Sequence, residues 1–458
     1  MLDPKVAALI DSYAAEYAAM LTRWVQVPSV KGEPEDGAPF GAQVRRMLDM
    51  AMVDCETMGF LTHVYDGYAC DATLGDEDWE MLAVLAHLDV VPAGDGWRVP
   101  PFSATREGDK ILGRGTSDDK GPALAAMFAM KAIKEAGIPL RRSIRLILGC
   151  DEESGWEDMD WYCEHAKMPA MGFSPDASFP LINTEKGMIH ALARAEVSRE
   201  GLQVKYLHTG ERLNVIPGES VAVLEGSAAL AERVKAYAEK SGLPYTAELT
   251  AEGVRVTAHG IPGHSAYPEG CRNANGMMLL LLKALGVQGA LATLADAYPM
   301  EYDGKALGIA CADDVSGPLT CNMGILHLDD GVITASLDCR CPVNADLDAL
   351  VASIRQHLPG FRLENLSTTQ PHHVPADSEL VTALLAAYHD QTGLPAVAES
   401  TGGGTYAKVL AQGVAFGAAF PGDEDLAHQA NEYVEIPKMM LAAKIYADAL
   451  IRLCGAQA

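Results

Sequence analysis

The 458-residue sequence predicts an α/β domain with a mostly parallel central sheet, interrupted by an inserted α+β domain. Three observations carry this. Short apolar runs alternate with helical stretches before Gly187, the texture changes to amphipathic strands interleaved with helices after it, and the α/β pattern resumes from about Pro371. The length also exceeds the roughly 250–300 residues at which single cores split. The expected organisation is 1–186 as the first part of the α/β domain, 187–370 as the insertion and 371–458 as the second part of the α/β domain.

Apolar residues recur at helical spacing over 4–24 (Val6, Leu9, Ile10, Tyr13, Tyr17, Met20, Leu21) and again over 40–58, predicting two opening helices. Residues 61–65, 81–86 and 143–148 are short β-favouring or apolar runs, with a long helical stretch at 122–136 and Gly/Pro-rich turns between them. In the insertion, strands are expected at 189–197, 253–258 and 332–338 and helices at 227–241, 273–285 and 345–358. The last section reads as a helix at 380–388, a glycine turn at Gly402, Gly403 and Gly404, an apolar run at 414–420 and a closing helix at 436–453. No internal repeat or low-complexity tract is visible.

Charge narrows the function classes. There are 62 acidic and 35 basic side chains, giving −27, and no Lys/Arg-rich run to track phosphates, so nucleic acid is not an expected partner. The first 25 residues lack a basic stretch followed by an apolar one, and no apolar run approaches the ~20 residues needed to span a bilayer, so a soluble, cytoplasmic protein without a membrane partner is expected. The ten cysteines are scattered without zinc-ribbon spacing and read as free thiols.

Ligand-type residues cluster where apolar runs end. His87-Leu88-Asp89 closes one run, and a carboxylate two residues from a histidine can hold one ring nitrogen while the other binds a metal. Asp118-Asp119-Lys120-Gly121-Pro122 opens a helix, and Asp151-Glu152-Glu153 ends another apolar run. Ser174-Pro175-Asp176 and Ala427-His428-Gln429-Ala430-Asn431-Glu432 follow. Singly, each has an ordinary reading: a structural histidine, a helix start, a solvated acidic loop. Jointly they supply nitrogen and oxygen ligands without thiolate, a set suited to catalytic zinc, manganese or cobalt. Two such metals could share a carboxylate and a water that ionises near pH 7 and attacks a carbonyl.

The motifs HLDVVPAGDGW from His87, GRGTSDDKGP from Gly113, DEESG from Asp151, FSPDASFPLINTEKG from Phe173, NVIPG from Asn214, TGGGTYAK from Thr401 and AHQANEY from Ala427 occur in this order. Together they resemble the co-catalytic di-zinc peptidases, the family of carnosinases, aminoacylases and desuccinylases. The sequence looks most similar to the bacterial PepV-type dipeptidases. The resemblance implies two divalent metal ions, zinc with manganese or cobalt as alternatives, held by His87, Asp118, Glu153, Asp176 and His428. Asp118 would bridge the metals, His87 and Asp176 would complete one site, and Glu153 and His428 the other. Asp89 would orient His87, and Glu152 would be the general base. A cis peptide between Asp118 and Asp119 is implied as well.

The resemblance also makes the insertion a lid. Its motif around His264 implies an oxyanion-stabilising histidine, Arg340 in Asp338-Cys339-Arg340-Cys341-Pro342 implies a grip on the peptide carboxylate, and Asn214 stands near the substrate. Gly403, Gly404 and Thr405 are carried over as substrate-binding positions. Gly263 and Tyr267 depart from the usual lid pattern, which bears on substrate range. The expected activity is hydrolysis of dipeptides with a free amine and a free carboxylate, β-alanyl dipeptides among those considered. The alternatives are an N-acyl amino-acid deacylase or desuccinylase and, from another class, a metal-free peptide-binding relative, against which the intact ligand set argues. A lid of this length implies a functional monomer.

Overall fold

The computed structural model describes residues 2–456. The chain forms two compact units. The first runs up to Asn183 and resumes over Val374–Glu399 and from Gly404 onward; the second is Thr184–His373 with Ser400–Gly403.

At the centre of the first unit, strands stand in the order Leu61–Tyr65, Ala69–Leu74, Ser143–Gly149, Met81–His87, Met171–Ser174 and Gln412–Ala415. Met81–His87 runs parallel to both neighbours, and Gln412–Ala415 is parallel to Met171–Ser174. The expected parallel sheet is therefore its centre, while the two strands at one edge pair antiparallel. A tight turn at Asp66 and Gly67 makes the two edge strands a hairpin, whereas the parallel neighbours Met81–His87 and Ser143–Gly149 need a crossover such as the helix Gly121–Ala136.

Both faces of the sheet are covered, which is why its central strands read as unbroken apolar runs. Leu82, Val84, Leu146 and Leu148 face a large core built with the helices Ala14–Val25, Gly121–Ala136 and Ile436–Cys454. Ala83, Leu85 and Ile147 face a smaller one with Met159, Tyr162, Tyr406 and Leu410. Expected elements are mostly found within a residue or two. The opening helix over 4–24, however, is two helices, Pro4–Ser12 and Ala14–Val25, because Tyr13 turns more tightly and donates its amide to the Ile10 carbonyl. Ala69–Leu74 has no counterpart in the sequence reading; Asp71 and Thr73 interrupt its apolar pattern, yet both are buried, Asp71 accepting from the hydroxyls of Tyr65 (3.0 Å) and Tyr162 (2.7 Å).

The second unit is an antiparallel sheet ordered Tyr245–Leu249, Val254–His259, Glu219–Leu224, Val204–Thr209, Leu326–Asp329, Val332–Cys341 and Gly187–Gly201. One face is apolar: Val254, Val256 and Ala258 are buried with the helices Ala228–Ser241 and Ala274–Leu285, while Arg255 between them is exposed. That alternation marks a sheet covered on one side. Among the described residues no helix is long and apolar enough to cross a membrane, and all ten cysteines are unpaired.

Candidate metal centre

Three neighbouring parallel strands deliver the site. His87 ends one, Asp151, Glu152 and Glu153 follow the end of the second, and Asp176 lies just past the third. The carboxyl ends of such strands are where open α/β sheets gather ligands. Asp118 comes from the short helical segment Thr116–Lys120 ahead of Gly121–Ala136, and His428 from the loop before Tyr433–Glu435, with φ of 62°. The peptide between Asp118 and Asp119 is cis.

These side chains converge. Asp118 stands between the two histidines, its Oδ1 2.9 Å from His87 Nε2 and its Oδ2 3.1 Å from His428 Nε2. His428 Nε2 is also 2.8 Å from Glu153 Oε2, and Asp176 Oδ2 is 3.6 Å from His87 Nε2. Ligand atoms of His87, Asp118 and Glu153 lie within 4.8 Å of one another, as do those of His87, Glu152 and Asp176. Distance thus groups Glu152 with the ligands as closely as Glu153.

Asp89 braces the site from behind. The Nδ1 of His87 is 3.0 Å from the Asp89 carbonyl and 3.4 Å from its carboxylate, so Nε2 is the nitrogen turned to the cluster. The same carboxylate accepts the amides of Glu152 and Glu153, each at 3.2 Å. One buried group therefore fixes both the histidine and the two glutamates.

The cluster carries more acid than its own bases can balance. Among the described residues no lysine or arginine forms an ion pair with Asp118, Glu152, Glu153 or Asp176. Burial and the nearby Asp118 push Asp176 up to about 7. Burial also raises Glu152 and Glu153, helped by neighbouring carboxylates. Asp118 goes the other way: burial would raise it, but hydrogen bonds from His428 and His87 hold it below the usual carboxylate range. In return Asp118 and Glu153 push His428 up to about 10. A half-buried, acid-rich set of two imidazoles and carboxylates without thiolate suits hard-to-borderline divalent cations, so these residues fit divalent metal.

The sequence reading did not single out Glu432, Arg114, Asp158 or Tyr406. Buried Glu432 binds the loop carrying Asp118, paired with Arg114 at 2.7 Å. Asp158 accepts the amide of Asp151 (2.9 Å) and the Tyr406 hydroxyl. Arg114 and Glu432 both stand inside quoted motifs, and a charged residue in a stretch that must be buried was the available signal.

Other predicted positions fall elsewhere. Thr405 and Gly404 belong to the first unit, where the Thr405 hydroxyl accepts the Ala407 amide and starts the turn Tyr406–Val409. Gly403, Asn214, His264 and Arg340 belong to the second. There Val215, next to Asn214, pairs with exposed His264, and Ser265 donates its amide to the Asn214 carbonyl at 2.9 Å. The Ser265 hydroxyl reaches Asp338 at 2.6 Å, and Asp338 accepts from Arg340 Nη2 at 3.0 Å. Arg340 Nη1 also donates to the Gly402 carbonyl at 2.7 Å. Asp338 thereby ties Ser265, beside His264, to Arg340.

Comparison with known proteins gives the family and the fold. Residues 83–452 match the model of the peptidase family M20/M25/M40. The chain is 36% identical over 428 residues to "Putative dipeptidase YtjP" of Bacillus subtilis (strain 168), covering 91% of this chain and 92% of that protein. It is 32% identical to "Putative dipeptidase SSP1012" of Staphylococcus saprophyticus, covering 94% and 95%. Among solved structures, human carnosine dipeptidase 1 shares the fold at a TM-score of 0.58 and 17% identity, covering 98% of this chain and 99% of that one. The M20 family metallo-carboxypeptidase Sso-CP2 of Sulfolobus solfataricus does so at 0.59 and 18%, covering 95% and 98%. On the length of the family match and the identity of these relatives, the chain belongs to the peptidase family M20/M25/M40.

Proposed function

We propose that this peptidase is a dipeptidase that holds two divalent cations, zinc or alternatively manganese or cobalt, and hydrolyses dipeptides carrying a free amine and a free carboxylate. The observation that carries the metal reading is the half-buried acidic cluster, which no lysine or arginine neutralises among the described residues. The relatives named as dipeptidases over nine-tenths of the chain support the substrate class.

His87 and Asp176 would hold one cation, Glu153 and His428 the other, and Asp118, facing both histidines, would serve both. When bound, such cations polarise a carbonyl and ease the ionisation of water near neutral pH. Glu152 would then do the proton work, taking a proton from the attacking water and giving it to the leaving amine. Its buried, acid-rich surroundings raise its proton affinity, the direction a carrier working near pH 7 needs. Asp89 would keep His87 and the Glu152 backbone in register through the contacts described above. From the second unit, read as a lid, His264 would steady the developing oxyanion, Arg340 would hold the substrate carboxylate, and Asn214 would contact the peptide. Gly403, Gly404 and Thr405 would line the path of its backbone. The protein would act as a monomer.

A panel of dipeptides, β-alanyl ones included, assayed beside N-acetyl and N-succinyl amino acids tests this. Metal-stripped protein would receive zinc, manganese or cobalt in turn. Turnover of dipeptides alone is the expected result; faster turnover of the N-acyl substrates would replace the dipeptidase reading with a deacylase.

A further inference from the structure

We propose that Glu432 is a positioning residue that locks the Asp118 loop to the His428 loop and so sets the spacing of one metal site before a cation arrives. This rests on the reading that Asp118 and His428 are ligands.

The carboxylate of Glu432 is fully buried, and nearly every acceptor direction it has is used on one short segment. Its Oε1 accepts the amides of Ser117 (2.8 Å) and Asp118 (3.2 Å) and the Ser117 hydroxyl (3.1 Å). Its Oε2 accepts the Gly115 amide (3.0 Å) and Arg114 Nη1 (2.7 Å). The backbone joins in, since the Gly113 amide donates to the Glu432 carbonyl at 2.9 Å and Leu112 pairs with Tyr433. Amides at the start of a helix point outward without intrahelical partners and favour an anion. Here a side chain from a distant part of the chain is that anion, and one of the amides it holds is that of Asp118 itself.

Glu432 lies four residues after His428, so the same carboxylate anchors both loops that meet at the 3.1 Å approach of His428 Nε2 to Asp118. Arg114, 2% exposed, neutralises it and also donates to the Ala93 carbonyl at 3.3 Å, with its guanidinium 5.3 Å from the Trp97 ring. Among the described residues neither Glu432 nor Arg114 forms a hydrogen bond or ion pair with His87, Glu153 or Asp176, so the effect on metal passes through the two loops.

A glutamine of the same shape offers one acceptor oxygen where Glu432 offers two, and its NH2 would face the donors of Arg114 and Gly115. Glu432→Gln should fold yet bind metal less well. The test titrates the metal-stripped full chain with cobalt(II), read by calorimetry and by the visible absorption of the bound ion, and records the thermal midpoint without metal. Relative to the unsubstituted chain, one of two cobalt ions should bind about 10–100-fold more weakly, the usual cost of losing a group that orients a ligand. Turnover lost at limiting cobalt should return with excess cobalt, which a merely structural defect would not allow.

Unchanged cobalt affinity in Glu432→Gln, while His428→Ala loses one ion, would overturn the positioning role and leave the ligand reading intact. Retention of both ions by His428→Ala would instead overturn the ligand reading beneath it. Should Glu432→Gln fail to fold, Ser117→Ala, which removes a single hydroxyl donor, decides: weaker cobalt binding supports the proposal, and unchanged binding assigns Glu432 to folding alone and overturns it.

Discussion

Two carboxylate centres, one in each unit, solve the same electrostatic problem in opposite ways. In the first unit Asp118, Glu152, Glu153 and Asp176 share two imidazoles, and burial with mutual repulsion raises three of the four. In the second, Asp338 is fully buried, but His190 at 3.1 Å, Ser265 and Arg340 surround it. Burial would raise Asp338 too, yet those partners outweigh it and hold it down at about 2. A charge deficit that the chain leaves open marks a place for a cation, whereas a balanced centre is finished without one.

The largest effect expected from this contrast is on metal removal. Stripping metal should abolish turnover, and adding it back at a thousandfold excess over its dissociation constant should stabilise the folded chain by about 4 kcal/mol, seen as a rise in thermal midpoint. No rise would break the contrast at once. Next comes Asp338→Ala, which leaves Arg340 buried without its carboxylate and should cost about 3–5 kcal/mol in denaturant unfolding, with or without metal. Metal dependence of that cost would show that the two centres differ less than claimed.

Acid should sharpen the comparison further. Asp338 has a folded-state value of about 2 against an ordinary 3.8, so its contribution is present above about pH 4 and lost as pH falls through 2. A shift of that size corresponds to about 2 kcal/mol. Comparing unfolding at pH 5 and pH 2 in the parent and in Asp338→Ala should reveal it as the part of the acid sensitivity that the variant lacks. The smallest effect is Ser265→Ala, expected to cost about 1.5 kcal/mol for one hydrogen bond to a charged acceptor. A neutral result would mean that Arg340 and His190 suffice for Asp338.

Much of this was legible in the residues, and unevenly so. Strands such as Met81–His87 could be read because both faces are buried and the run is unbroken. Ala69–Leu74 could not, since its polar Asp71 is satisfied by Tyr65, Tyr162, His63 and Arg145, which the fold brings in from outside the strand. The ligand-type residues stand out only together, because each has an ordinary reading alone while two histidines and several carboxylates at the ends of apolar runs make a ligand set. Glu432 and Asp158 escaped because each works by accepting backbone amides, a task that leaves no spacing pattern and emerges only when distant loops meet. The contacts of Asp338 with His190, Ser265 and Arg340 are hidden for the same reason, apart from the Arg340 two residues away.

Glu152 and Glu153 divide proton transfer from metal binding, although their positions alone do not separate them. Metal content by elemental analysis, measured alongside steady-state kinetics on Glu152→Ala and Glu153→Ala, tests it most directly. Glu153→Ala should lose one metal, because an oxygen ligand is removed from a site with few to spare. Glu152→Ala should keep both metals and still bind dipeptide while turnover falls by about 10²–10⁴-fold. An emptied metal site in Glu152→Ala with both metals retained in Glu153→Ala would reverse the two roles, and near-normal turnover in Glu152→Ala would contradict the mechanism.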